Sequence, residues 1–286
     1  MNDAHQRSEC GTLVRRILVP LYRVRDTYPA FDRALQVAQM FEAGLLIAAV
    51  VDKGSFTVLG GAPAAGGPVV ATDRKHLALS RAELTRQIRF LAEQANELGV
   101  QAETTAVVGS ASDEVVQLSR RCDLIVECEL HRPPFLERVL FRTKDPYTHA
   151  SCPVLVARGE AFVTKRVLLV YNRTEQANRA LRWVALLAKT EAHTDLHALV
   201  IFRNEKERER LPREVVSLAA ARGLDVQAEA VPANIAFERA IDSARAFRPS
   251  LVAMPTYAFS RPLRLRLQGI NRQALEDLEA SVLLFA

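Results

Sequence analysis

A chain of 286 residues with 49% apolar side chains is long enough to bury two cores, and no apolar run approaches the roughly eighteen residues that cross a bilayer. Its net charge of +5 is mixed along the chain. Stretches such as Arg203-Asn204-Glu205-Lys206-Glu207-Arg208-Glu209-Arg210 describe a solvated helix face with i,i+4 pairs, and so exclude a uniformly basic nucleic-acid-binding tract there.

Met1 to Thr12 is polar and has no apolar h-region. Residues 1–14 are therefore expected to be a flexible arm without a secretory signal, in a cytoplasmic protein. Ile17 to Leu21 is a short continuous apolar run, the mark of a strand buried on both faces. Pro29 to Phe41 carries apolar residues at Phe31, Ala34, Leu35, Val37, Ala38 and Phe41, which predicts an amphipathic helix stopped at Gly44. Leu45 to Val51 reads as a second buried strand and Leu77 to Leu98 as a long helix, ended at Gly99 by a left-handed C-cap. Val100 to Val107 gives a third strand, Ser112 a capped helix to Arg121, and Asp123 to Val126 a fourth strand. Phe135 to Thr148 reads as helix and Pro153 to Ala157 as a fifth strand.

The same order then returns. Arg16-Ile17-Leu18-Val19-Pro20 with Arg33-Ala34-Leu35 reappears about 150 residues later as Arg166-Val167-Leu168-Leu169-Val170 with Arg179-Ala180-Leu181. The second copy runs Val167 to Tyr171, Glu175 to Lys189, Asp195 to Phe202, Glu205 to Arg222, Asp225 to Val231, Ile235 to Phe247, Leu251 to Met254, Leu263 to Glu279 and Val282 to Phe285. Repeats of this length are whole domains, and alternating strands and helices with right-handed crossovers make parallel sheets. The expected fold is two tandem doubly wound α/β domains, Rossmann-like or flavodoxin-like. Each has a five-stranded parallel sheet with helices on both faces, over residues 15–158 and 165–286.

Asp52 to Asp73 has no counterpart in the second copy, and Gly60-Gly61, Gly66-Gly67, Pro63 and Pro68 predict a mobile loop on the sheet edge that binds ligands. Its Gly60-Gly61-Ala62-Pro63 matches neither glycine-rich phosphate motif. Cys10, Cys122, Cys128 and Cys152 lack metal or CxxC spacing and read as small buried hydrophobes. Arg261, Arg264, Arg266 and Arg272 form a cationic stretch, read as solvated or anion-facing, with Tyr257 and Phe259 the nearby aromatics of a weaker nucleic-acid reading.

The strand Ile17-Leu18-Val19-Pro20, the helix with Arg33-Ala34-Leu35, the strand Asp123-Leu124-Ile125-Val126 and the terminal Cys152-Pro153-Val154-Leu155-Val156 together resemble the universal stress protein family. The tandem arrangement resembles its two-domain members, from about Arg15 to Ala286. The resemblance implies an ATP site built from an aspartate after the first strand and a Gly-x-x-Gly-x9-Gly-Ser/Thr loop after the fourth. The first copy has Tyr22 at the aspartate position and Glu127-Cys128-Glu129-Leu130-His131-Arg132-Pro133-Pro134 in the loop. Its carboxylates would repel a triphosphate.

The second copy has Asn172, then Arg173-Thr174, and the loop Met254-Pro255-Thr256-Tyr257-Ala258-Phe259-Ser260-Arg261-Pro262. Asn172, Thr174, Thr256, Ser260 and Arg261, with Gly269 near the distal end of the motif, supply donors for a nucleotide-like or anionic ligand if any is held. No cofactor is expected, because the ATP motif is absent from both copies, although ATP or another nucleotide remains the alternative. Glu127, Glu129, Cys128 and His131 come with no nucleophile elbow, so neither a catalytic residue nor a metal site is expected, and His149 beside Cys152 reads as structural. By the same resemblance the fifth strands make dimer contacts, and Val154, Leu155, Val156, Val282, Leu283 and Leu284 are the expected self-association residues. The function implied is that of a non-enzymatic stress-response protein acting by association. A nucleotide or anion sensor in the second cleft is the alternative, and a nucleic-acid-associated protein the weaker one.

Overall fold

A computed structural model describes residues 14–24, 27–60, 69–127, 149–158, 164–189, 193–256 and 280–286. The described chain divides into two compact units, one up to Cys152 and one from Pro153 onward.

The first unit contains β1 (Arg16–Leu21), α1 (Thr27–Phe41), β2 (Gly44–Asp52), a 3₁₀ turn (Lys53–Phe56), β3 (Thr57–Gly60), β4 (Val69–Thr72), α2 (Arg74–Glu97), β5 (Ala102–Gly109), α3 (Ala111–Ser119) and β6 (Leu124–Glu127). Its sheet has the order β6-β1-β2-β5, with every pair parallel. β1 and β2 are buried almost end to end, as their continuous apolar runs require when helices cover both faces. Asp123 fixes how the first and fourth strands enter the sheet: its Oδ2 accepts from the backbone N–H groups of Arg15 (2.9 Å) and Arg16 (3.0 Å).

The second unit contains β7 (Val154–Val156), β8 (Arg166–Tyr171), α4 (Glu175–Ala188), β9 (Asp195–Phe202), α5 (Glu205–Ala220), β10 (Val226–Pro232), α6 (Ala236–Phe247), β11 (Leu251–Pro255) and β12 (Ser281–Phe285). The order is β10-β9-β8-β11-β12-β7, parallel throughout except for the antiparallel pair β12–β7. Ser250 stands where Asp123 stood. Its Oγ accepts from the Arg166 N–H (3.2 Å) and donates to the Arg166 carbonyl (3.0 Å).

Both units are doubly wound α/β, as the alternation in the sequence predicts. The difference lies in the last strand of the first copy, which falls within the second unit and is antiparallel to β12, with Val156, Leu155 and Val154 opposite Val282, Leu283 and Leu284. These six self-association residues therefore meet inside one chain. β12 has β11 on one side and β7 on the other, so it offers no open backbone edge to a second chain.

Three local expectations are corrected. The Asp52–Asp73 segment carries the 3₁₀ turn and an antiparallel β3–β4 pair, Thr57↔Thr72 to Gly60↔Val69, because Thr57-Val58-Leu59 and Val69-Val70-Ala71-Thr72 have strand propensity that the glycine and proline content obscures. Asp73 then caps α2, accepting from the His76 N–H at 3.1 Å. Second, the left-handed residue after α1 is Glu42 (φ 53°), while Gly44 opens β2 against the Gln101 carbonyl. Third, Ser110 occupies the cap position of α3 and Ser112 is buried within the helix. Gly99 does adopt the expected left-handed conformation (φ 81°). The helices expected over 135–148 and 263–279 lie outside the described residues.

Candidate functional site

In each unit the chain lays strands outward on one side of its first strand and then returns to the other side. β1 lies between β2 and β6, and β8 lies between β9 and β11. Ligands of open α/β sheets bind at such a reversal, above the carboxyl ends of the strands.

At the first reversal the residue following β1 is Tyr22 and the residue ending β6 is Glu127. The Tyr22 hydroxyl donates to Glu127 Oε1 across 2.8 Å. Glu127 is only 3% exposed. This link joins the two strand ends at the reversal point and sets a buried carboxylate there. Sequence reasoning placed both residues in the cleft but did not pair them. Glu129, His131, Pro133 and Pro134 lie outside the described residues.

At the second reversal the polar residues turn inward on their own backbone. Asn172 Oδ1 accepts from the Thr174 hydroxyl (2.6 Å) and the Thr174 N–H (3.3 Å). Thr174 Oγ1 accepts from the Ala177 N–H (3.2 Å), so it caps α4. Arg173 between them is left-handed (φ 61°), a conformation that costs a non-glycine residue about 1 kcal/mol. Thr256 continues the β11–β12 pairing: its N–H and its hydroxyl both donate to the Phe285 carbonyl, at 2.8 and 3.1 Å. Its side chain is 7% exposed. The structure thus brings Asn172 and Thr174 together and ties Thr256 to the sheet. Ser260, Arg261 and Gly269 lie outside the described residues, as does the cationic stretch to Arg272.

Tyr171, the last residue of β8, donates its hydroxyl to Asn178 Oδ1 at 2.6 Å. Burial, reinforced by the Glu214 carboxylate, raises its pKa, so it is a neutral phenol across the physiological range. It is a packing element beside the cleft.

Sequence reasoning missed a group at the carboxyl edge of β2 and β5. Asp52 is 6% exposed; its Oδ1 accepts from the Gly54 N–H at 3.1 Å, while Oδ2 has no partner among the described residues. The register sets Asp52 opposite Gly109, followed by Ser110 and Ser112, whose hydroxyls are likewise buried without a partner among the described residues. The available signal was a carboxylate directly ending a wholly apolar strand. Elsewhere, Cys122 and Cys152 are buried and form no disulfide. Burial pushes the Cys122 pKa up to about 11, so it is not a nucleophile at neutral pH. Among the described residues, no group of three or more His, Cys, Asp or Glu gathers to hold a metal, and no helix is long and apolar enough to cross a membrane.

Doubly wound sheets with polar reversal points define a Rossmann-like α/β protein. The universal stress protein family model matches residues 14–158, and the chain belongs to that family. A universal stress protein from Archaeoglobus fulgidus DSM 4304 superposes with a TM-score of 0.70 at 13% identity, covering 94% of this chain and 95% of that one. A putative universal stress protein from Pseudomonas aeruginosa UCBPP-PA14 gives 0.59 at 18% identity over 96% and 94%. A functionally unknown protein from Pseudomonas aeruginosa PAO1 gives 0.58 at 17% identity over 97% and 94%. These similarities establish the fold. No protein of curated function matches the sequence.

Proposed function

We propose that this is a tandem stress-response protein of the cytoplasm that acts by association without catalysis, and that its first cleft has given up ATP. The observation that carries the reading is the Tyr22–Glu127 hydrogen bond. A triphosphate entering there would have to break that bond and meet a buried carboxylate, and electrostatic repulsion at such short range amounts to several kcal/mol at an effective dielectric of about 20. The second cleft supports the same conclusion, because Asn172 and Thr174 already satisfy each other and α4, and Thr256 is committed to Phe285.

Calorimetric titration with ATP, ADP, AMP and cyclic dinucleotides tests this. No saturable heat is expected. Micromolar binding abolished by Asn172→Ala or Arg261→Ala would overturn the reading in favour of a nucleotide sensor in the second cleft. RNA affinity falling linearly in log–log salt plots would overturn it in favour of nucleic acid.

A further inference from the structure

The outer edge of the first unit is built differently from that of the second. β5 ends its sheet order, with β2 as its one neighbour among the described residues. α2 packs against β5, and between them runs a groove of about 1330 Å³. Thr104, Thr105, Ala106 and Val108 of β5 form one wall. The helix wall combines apolar Leu77, Ala78, Ala82 and Phe90 with the guanidinium groups of Arg74, Arg81, Arg86 and Arg89, and Lys53 closes one end. Phe90 is 45% exposed. Glu93 is the lone carboxylate of the lining, and the four arginines make no ion pair among the described residues.

The second unit repeats the geometry without the charge. α5 packs against edge strand β10, and the smaller groove along α5, about 680 Å³, carries cations neutralised on the same helix. Arg210 pairs with Glu214 at 3.2 Å and Arg213 with Glu209 at 3.8 Å. Helix surfaces need no excess charge to be solvated, as α5 demonstrates, so the unpaired cations of α2 call for a separate reason.

We propose that the α2–β5 groove docks an extended acidic segment of a protein partner, which adds a strand to β5. An open strand edge offers a row of main-chain donors and acceptors to another strand. On the face of the added strand turned to α2, every second residue would meet the helix, apolar ones lying against Phe90 and the alanines and carboxylates against Arg74, Arg81, Arg86 and Arg89. The arginines also decide what does not bind: two copies of this edge would repel each other, so the occupant is not a second β5. A single-stranded nucleic acid would want several aromatic faces for its bases, and the groove presents only Phe90. The groove lies two strands from the first cleft, so the proposal stands whether or not nucleotide binds.

Fluorescence anisotropy with a labelled decapeptide whose every second residue is in turn glutamate or valine, with threonine between them, tests this on the full chain. Its lysine–valine counterpart and a thymidylate decanucleotide serve as competitors. Salt-sensitive binding of the acidic peptide is expected. The double charge reversal Arg81→Glu/Arg89→Glu should weaken it by about tenfold or more, and Arg208→Glu on α5 should leave it unchanged. N-methylation of alternate peptide nitrogens should abolish binding in one frame and spare it in the other, which simple charge attraction would not do. Absence of acidic-peptide binding, equal binding in both methylated frames, or tighter binding of the oligonucleotide would each overturn the proposal. Unchanged circular dichroism of the charge-reversed variant confirms that it folds.

Discussion

The two copies share a scaffold and differ at every place where it meets something else. At the reversal point the first copy spans its strand ends with Tyr22 and Glu127, whereas the second folds Asn172 and Thr174 back into a helix cap. At the outer edge the first leaves arginines without an ion pair among the described residues beside an open strand, and the second pairs them off. At the sheet entrance the first uses a carboxylate, Asp123, and the second a hydroxyl, Ser250. The lesson is that strands and crossovers persist because burial demands them, while edges and clefts are free to diverge.

The largest test concerns the last strands, where Ala157 of the first copy corresponds to Phe285 of the second. Phe285 is fully buried and stands edge-on to Trp183, ring centroids 6.4 Å apart. Phe285→Ala should cost about 3–5 kcal/mol, since it leaves a cavity beside Trp183 and loses a ring pair. Urea unfolding measures it. A loss below about 1 kcal/mol would mean that Phe285 contributes no more to its strand than the small Ala157 does at the matching place in the first copy.

The entrance pair separates carboxylate from hydroxyl. Asp123→Ala strips two backbone N–H groups of a charged acceptor and should cost about 2 kcal/mol, whereas Ser250→Ala should cost about 1 kcal/mol. Equal losses in chemical denaturation would show that charge adds nothing at this exposed end. The cleft pair comes next. Tyr22→Phe leaves a buried Glu127 short of a donor and should cost about 1–2 kcal/mol, while Asn172→Ala merely loosens a cap and should cost about 0.5–1 kcal/mol. A double-mutant cycle of Tyr22→Phe with Glu127→Gln that shows no coupling would remove the bridge from the argument for a closed first cleft.

How much of this was legible follows from the same division. Ile17 to Leu21 and Val167 to Tyr171 announce buried parallel strands because both faces must be apolar, and Gly99 announces its left-handed turn because few other residues tolerate it. The pairing of Val154–Val156 with Val282–Leu284 could be anticipated as a meeting of the two last strands, but its location within a single chain follows from chain connectivity. The β3–β4 pair was hidden because glycines and prolines dominate the segment's composition while the pairing depends on its two ends. The clefts were legible as departures from the pattern of the family the chain resembles. The bond between Tyr22 and Glu127 was not, because the two are 105 residues apart and nothing local links them. Asp52 was read as the edge of a loop, although a buried carboxylate closing an apolar strand is its own signal.

The last test distinguishes the titration of the two copies. Cys122 precedes the fourth strand of the first copy, and burial raises its pKa from 9.0 to about 11, opposed by the nearby Arg16. In the second copy the group with a raised alkaline pKa is Tyr171 at the end of β8, raised from 10.0 by burial and then by Glu214. For both groups the folded state prefers the protonated form. Their contribution is therefore fully present below the unfolded pKa and is lost as pH rises toward the folded one. The Cys122 window opens near pH 9 and closes near pH 11, and that of Tyr171 opens about one unit later, above its unfolded value of 10.0. Melting temperature should begin to fall above pH 9 in the parent protein, and Cys122→Ala should flatten the early part of that fall while leaving the later part, which belongs to Tyr171, in place. Native Cys122 should also resist iodoacetamide at neutral pH and react once the chain is unfolded. If Cys122→Ala left the whole alkaline limb unchanged, the thiol would be as easily ionised in the fold as outside it, and the alkaline sensitivity would belong to the second copy alone.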